Sequence, residues 1–163
     1  MLPSLALVQH TTQTLSVFGW IILGLVTFYI SGFWDYAVHR FLSHHRKLFF
    51  THEYHHLPNE LFLALPGLSV RPFVVVAVLP ATIGTLITLC LGLALLGYTS
   101  LPLMPLIYCV VFAQTVILAA THSAFFIKQK WIHRILRYTA ITTPQDHEIH
   151  HTVDIRGNYG NFT

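Results

Sequence analysis

Polar and apolar positions in this chain fall into long blocks. Residues 1–34 contain no Asp, Glu, Lys or Arg, and residues 72–127 form a second blank of 56. Every charged side chain therefore lies in 35–71 or 128–163. A helix that crosses a bilayer needs about 20 predominantly apolar residues. The first blank predicts one span, roughly 15–34, and the second predicts two, roughly 73–96 and 103–121. Gly97-Tyr98-Thr99-Ser100-Leu101-Pro102 separates the latter two and reads as a turn. Two crossings return the chain to the side it left, so both charged segments face one compartment. The pattern predicts an all-α integral membrane protein, a single domain over 1–163. It would have about three transmembrane helices and a polar cap of short helices. Pro80 either kinks the second span or marks where its regular helix begins.

Composition agrees. Apolar types make up 54% of the 163 residues and charged types 9%, against about 25% charged in a soluble domain. This excludes an ordinary soluble globule and a disordered chain. All nine Lys and Arg lie in the two charged segments, and the first 14 residues have none. The positive-inside rule then places those segments in the cytoplasm and the N-terminus outside. A secretory signal peptide is not expected without a basic n-region. The net charge of +3 is accounted for by this placement and does not argue for nucleic acid. Trp20, Trp34 and Trp131 are candidate interfacial anchors, with packing between helices the alternative for Trp20. Cys90 and Cys109 lie in apolar runs and read as packing residues, not as a disulfide.

Histidine changes the picture. There are 12 His, more than the nine Lys and Arg or the six Asp and Glu. His39, His44 and His45 follow the first span. His52, His55 and His56 stand in His-Glu-Tyr-His-His, and His147, His150 and His151 in His-Glu-Ile-His-His. His122 ends the third span. Positions i, i+3 and i+4 of an α-helix lie within about 100° of one another, so each triplet can aim three imidazoles at one region. Two triplets with further His can enclose one or two transition metals, and imidazole suits iron, zinc, copper and nickel. His39 and His44, five apart, stand about 140° around an ideal helix. They need a loosened helix end to share a metal, or they bind different ones. His45 points elsewhere if His44 is a ligand. His10 and His133 read as polar surface.

Two carboxylates stand where partners of ligating imidazoles belong. Asp35 is four residues before His39 and Asp146 four before His150, each placed to accept the outer ring N–H of its His. Glu53 and Glu148 point about 100° away from the preceding His and read as solvated, or as partners of the ligating imidazoles, but not as metal ligands themselves. Thr143-Pro144-Gln145-Asp146 reads as a helix start, with an N-cap Thr, a Pro at the first helical position and an acid at the third. Thr51 is the candidate cap for the other triplet, and Leu57-Pro58 its stop.

Three stretches carry a resemblance. The first is Asp35-Tyr36-Ala37-Val38-His39-Arg40-Phe41-Leu42, and the second His52-Glu53-Tyr54-His55-His56. The third runs from Thr143-Pro144 through His147-Glu148-Ile149-His150-His151 to Asn158-Tyr159-Gly160. Together they resemble the fatty acid hydroxylase/sterol desaturase superfamily, over roughly residues 30–163 with boxes at 39–56 and 122–151. His-Arg-Phe-Leu resembles the fatty acid 2-hydroxylase branch; the Thr-Pro and Asn-Tyr-Gly look more like the sterol desaturase branch. The resemblance implies a membrane-embedded oxidoreductase that uses two iron ions and dioxygen to hydroxylate or desaturate a lipid of sterol or fatty acyl type. It implies iron ligation by His39, His44, His52, His55, His56, His122, His147, His150 and His151. The hydroxylase branch has another His four residues after the one matching His122, where this chain has Phe126. Family members continue past Asn-Tyr-Gly, so a chain ending at Thr163 is expected to be an incomplete version. No Gly-x-Gly-x-x-Gly fingerprint is present. Electrons are therefore expected from a separate donor protein docking on the cytoplasmic face. That face belongs to the endoplasmic reticulum in a eukaryote or the inner membrane in a bacterium.

Other readings of the residues remain. A zinc hydrolase of the membrane also uses imidazole ligands, although nine His are many for one four-coordinate ion. A His-rich metal transporter or sensor would place ionisable ligands near the bilayer midplane, and these spans hold no acid or base. A haem cytochrome would need single His on facing spans, not triplets at one membrane edge.

Overall fold

The computed structural model describes residues 14–51, 53–56, 74–121 and 124–152. Among these, every regular element is helical. Helix α1 runs Val17–Val38. Ser16 caps it, its hydroxyl accepting from the Gly19 N–H at 3.1 Å, which satisfies one of the donors a helix start leaves open. The 22 residues of α1 reach about 33 Å, and the helix continues past Trp34 into a π-helical turn, His39–Ser43. The apolar pattern marked only the part of the helix suited to hydrocarbon; Asp35, His39 and Arg40 ride on its extension.

Helix α2, Leu79–Leu95, follows a π-helical turn over Val74–Val78. Pro80 stands in the first turn of α2, where its missing N–H costs little. It therefore marks where the regular helix begins. The end of α2 is closed by the Gly97 N–H donating to Ala94 O at 3.0 Å and the Tyr98 N–H to Leu93 O at 2.8 Å. Gly97 has φ +84°, a conformation that favours glycine. Helix α3, Leu103–Thr121, occupies the range predicted for the third span.

Among the described residues, two helices are long and apolar enough to cross a membrane, Val17–Ser43 and Val76–Leu95. They pack on each other through Leu23, Leu89 and Leu93, with Trp20, Tyr98 and Leu106 against that cluster. Higher up, the Trp34 ring lies on Gly84, where a Cβ would overlap it, and its indole N–H donates to Thr88 Oγ1 at 2.9 Å. Trp34, read from sequence as a candidate interfacial anchor, is thus a packing residue, and Trp20 is one as well. Ser31 Oγ donates to Gln114 Oε1 at 2.7 Å, tying α1 to α3. Thr27, Thr85 and Thr88 donate to carbonyls one turn back in their own helices, so these hydroxyls can sit inside a bundle without water. Phe18, Leu25, Leu91, Leu95 and Phe112 face outward, the arrangement lipid favours and water does not.

Three short helices follow: α4 over Ala124–Ile127, α5 over Lys130–Tyr138 and α6 over Pro144–Thr152. Tyr29 Oη on α1 donates to Thr139 O at 2.9 Å, which fastens the end of α5 to the first membrane helix. Helix α6 packs beside α3, α4 and the short 3-10 turn Glu53–His56.

Candidate metal centre

The site begins where α1 loosens. The His44 N–H donates to His39 O at 3.1 Å, an i→i+5 bond that widens the helical turn. This brings together two residues that an α-helix would splay. Their rings stack at 5.0 Å between centroids with 13° between planes, and their Nε2 atoms are 3.1 Å apart. Asp35 lies one turn earlier, its backbone carbonyl accepting from the His39 N–H.

The chain then folds back through the 3-10 turns Phe49–Thr51 and Glu53–His56. The Thr51 hydroxyl, expected to cap a following α-helix, donates to Leu48 O at 2.8 Å and closes the preceding turn instead. Phe49 forms an apolar wall, its ring 5.5 Å from His44 and 5.9 Å from His56. No sequence signal picked out Phe49, because its role depends on where the two imidazoles end up.

Helix α6 is built as its start signal predicts. Thr143 Oγ1 accepts from the Asp146 N–H at 3.1 Å and donates to Asp146 Oδ2 at 2.7 Å. The other carboxylate oxygen meets Arg137 at 3.3 Å. The Asp146 carboxylate, expected on the outer ring nitrogen of His150, is thus placed on Thr143 and Arg137. It positions α6 as a whole rather than one imidazole. The α-helical spacing brings His147 and His151 together with Nε2 atoms 3.1 Å apart.

The two His segments meet at His150, which is fully buried. Its ring lies 5.3 Å from His39, 4.9 Å from His44 and 4.7 Å from His56. One nitrogen from each of His39, His44, His56 and His150 falls in a group whose members all lie within 4.8 Å of one another. His151 adjoins this group, its ring 4.8 Å from that of His56. A nitrogen separation of 3.1 Å is also that of neighbouring ligands each about 2.1 Å from one ion. Among the described residues the donor set is therefore imidazole throughout, at ligand spacing, and fits a borderline transition metal better than a hard cation such as magnesium or calcium. Burial, with the charge of His150 as the smaller cause, lowers the His44 pKa from 6.5 to about 4. His44 is accordingly neutral at pH 7 and keeps a lone pair for a metal.

Several expected residues are not placed here. His10, His52 and His122 lie outside the described residues, as does Asn158-Tyr159-Gly160, and the side chain of His55 is likewise outside the description. Of the set aside His, the His45 Nδ1 accepts from the Lys47 N–H at 3.3 Å. His133, expected as polar surface, is a correction: it is buried on α5, with Nε2 donating to Ile127 O at 2.8 Å. Lys130 and Arg134, close to it along the chain, are charged and exposed, but the helix turns position 133 inward.

Comparison with curated proteins returns no match, and neither does comparison with solved structures. Comparison with protein families matches residues 22–163 to the fatty acid hydroxylase family. That stretch contains all the imidazoles of the centre, the second membrane-length helix and all of the first except its opening residues 17–21, and the chain belongs to the fatty acid hydroxylase family.

Proposed function

We propose that the protein is a membrane-bound di-iron oxidoreductase that hydroxylates or desaturates a lipid. Dioxygen would be the co-substrate and a separate donor protein the source of electrons. Family membership supports a lipid hydroxylase-type oxidoreductase. The observation that carries the metal reading is the convergence of two His segments on His150, with an imidazole pair at 3.1 Å in each. His39, His44, His56 and His150 are assigned to one end of the centre and His147 and His151 to the other. His52, His55 and His122 complete the family's ligand set. Iron bound there would supply oxygen activation, the chemistry that unactivated C–H bonds require and no side chain provides.

The chain's own residues do the rest. The six imidazoles hold the reacting centre at one edge of the membrane helices, where a lipid tail between α1, α2 and α3 can reach it. Phe49 shields one side from water. Ser16, Gly97 and Thr143 end or start helices so that the centre is presented from fixed supports. The placement of Lys and Arg supports a cytoplasmic orientation for this face, with α3 as a third crossing.

The test is metal content. The full chain, purified in detergent without a His tag, should bind about two metals per chain, with iron restored by anaerobic ferrous loading. One metal or fewer, as tight zinc that iron does not replace, would overturn the di-iron reading in favour of a zinc hydrolase.

A further inference from the structure

Helix α5 has three faces. At about 100° per residue, Lys130, Arg134 and Arg137 share one sector. Trp131, Ile135 and Tyr138 share the next, and Ile132, His133 and Leu136 the third. The third sector is the one packed on the protein, with His133 as its buried pin. The apolar sector is open: Trp131 is 63% exposed, Ile135 54% and Tyr138 88%. Lys128, Lys130 and Arg134 are exposed as well, while Arg137 shares its charge with Asp146.

An exposed aromatic sector flanking a basic one is the pattern of a helix lying in a membrane interface, with rings among the upper acyl chains and cations at phosphate level. The fold supplies the right depth. Thr139, just past α5, is hydrogen-bonded to Tyr29, which lies six residues before Asp35 on α1. That is about 9 Å along the helix, so α5 ends near the level where α1 leaves the hydrocarbon. A surface made only for an acidic protein partner would need the cations but not three open apolar side chains.

We propose that α5 lies in the membrane–water interface and binds anionic phospholipid headgroups through Lys130, Arg134 and Arg137, with Trp131, Ile135 and Tyr138 inserted beside them. This rests on the membrane reading above and not on the identity of the metal. Its consequence is a shell of anionic lipid collected next to α6 and the His cluster.

The full chain would be reconstituted in phosphatidylcholine bilayers containing spin-labelled phosphatidylglycerol or spin-labelled phosphatidylcholine, and the immobilised lipid measured by electron spin resonance. Each Lys or Arg at an anionic surface strengthens attachment up to about fivefold. We expect a preference for phosphatidylglycerol that falls about threefold or more in the Lys130→Gln/Arg134→Gln variant and in high salt, with metal content unchanged. Trp131 fluorescence, taken as the difference between the wild type and Trp131→Phe, should be quenched by brominated lipid and not by aqueous iodide. Equal preference in wild type and variant would overturn the proposal. So would a Trp131 reached by iodide and protected by an added acidic protein, which would hand this face to a protein partner. A chain that alkaline carbonate extracts from the bilayer would overturn the membrane reading itself. A retained chain with no lipid preference would overturn only the role of α5.

Discussion

The two His triplets share one spacing in the sequence, yet Glu53–His56 in the first and His147–His151 in the second stand on different backbones. The second is an α-helix with its own start: Thr143 caps it, Pro144 opens it, and Asp146 holds both the cap and Arg137. The first follows a π-helical turn hung from the end of α1, and Glu53–His56 is 3-10 helix. Such turns have poorer hydrogen bonds and are short, so they take their shape from what they meet. Here that is Phe49 and the buried His150. One segment arrives nearly formed; the other is completed by contact with it, and metal binding would contribute to that ordering.

The largest test of this difference is His150→Ala. If His150 joins the two segments, the loss should cost at least about 100-fold in metal affinity, read as metal retained after dialysis against a chelator. Unchanged metal content would make the segments independent. Gly84→Ala comes next, because it forces Trp34 off α2 and disturbs the support of the first segment only. It should cost about 1–3 kcal/mol, measured by thermal unfolding in detergent, with the melting of α6 amides in hydrogen exchange less affected.

Acid separates the parts in another way. The His44 pKa is about 4 in the fold and 6.5 when unperturbed, so the unfolded chain binds more protons between those values. Stability of the metal-free protein should be full above about pH 6.5 and fall as pH drops toward 4. A flat profile over that window would show that His44 is not buried against its neighbours. Thr143→Ala should lower stability by about 1 kcal/mol, and hydrogen exchange should locate the loss in α6, leaving the π-turn unaffected. The smallest effect is expected at Ala140, which joins α5 to α6 with φ +54°. Ala140→Gly should raise stability by about 0.5–1 kcal/mol, since a Cβ is disfavoured there, and a lower melting temperature would contradict this.

The sequence by itself determined the long apolar helices, the start of α6 and the imidazole character of the site. Charge-free runs long enough for a bilayer leave few alternatives, and the Thr143-Pro144-Gln145-Asp146 start and the Gly97 stop are local in cause. The α6 imidazole pair was legible for the same reason, because i and i+4 meet on an α-helix whatever surrounds it. Tertiary structure decided the rest. A π-helical turn, not an α-helical one, brings His39 to His44, and no local residue preference announces an i→i+5 bond. Packing turned Trp34 onto Gly84 and His133 inward, where composition suggested an interface and a polar surface. Asp146 went to Thr143 and Arg137 because those groups lie within its reach in the folded chain. The joining of both His segments at His150 depends on contacts more than 90 residues apart, and spacing along a chain carries no information about such distances.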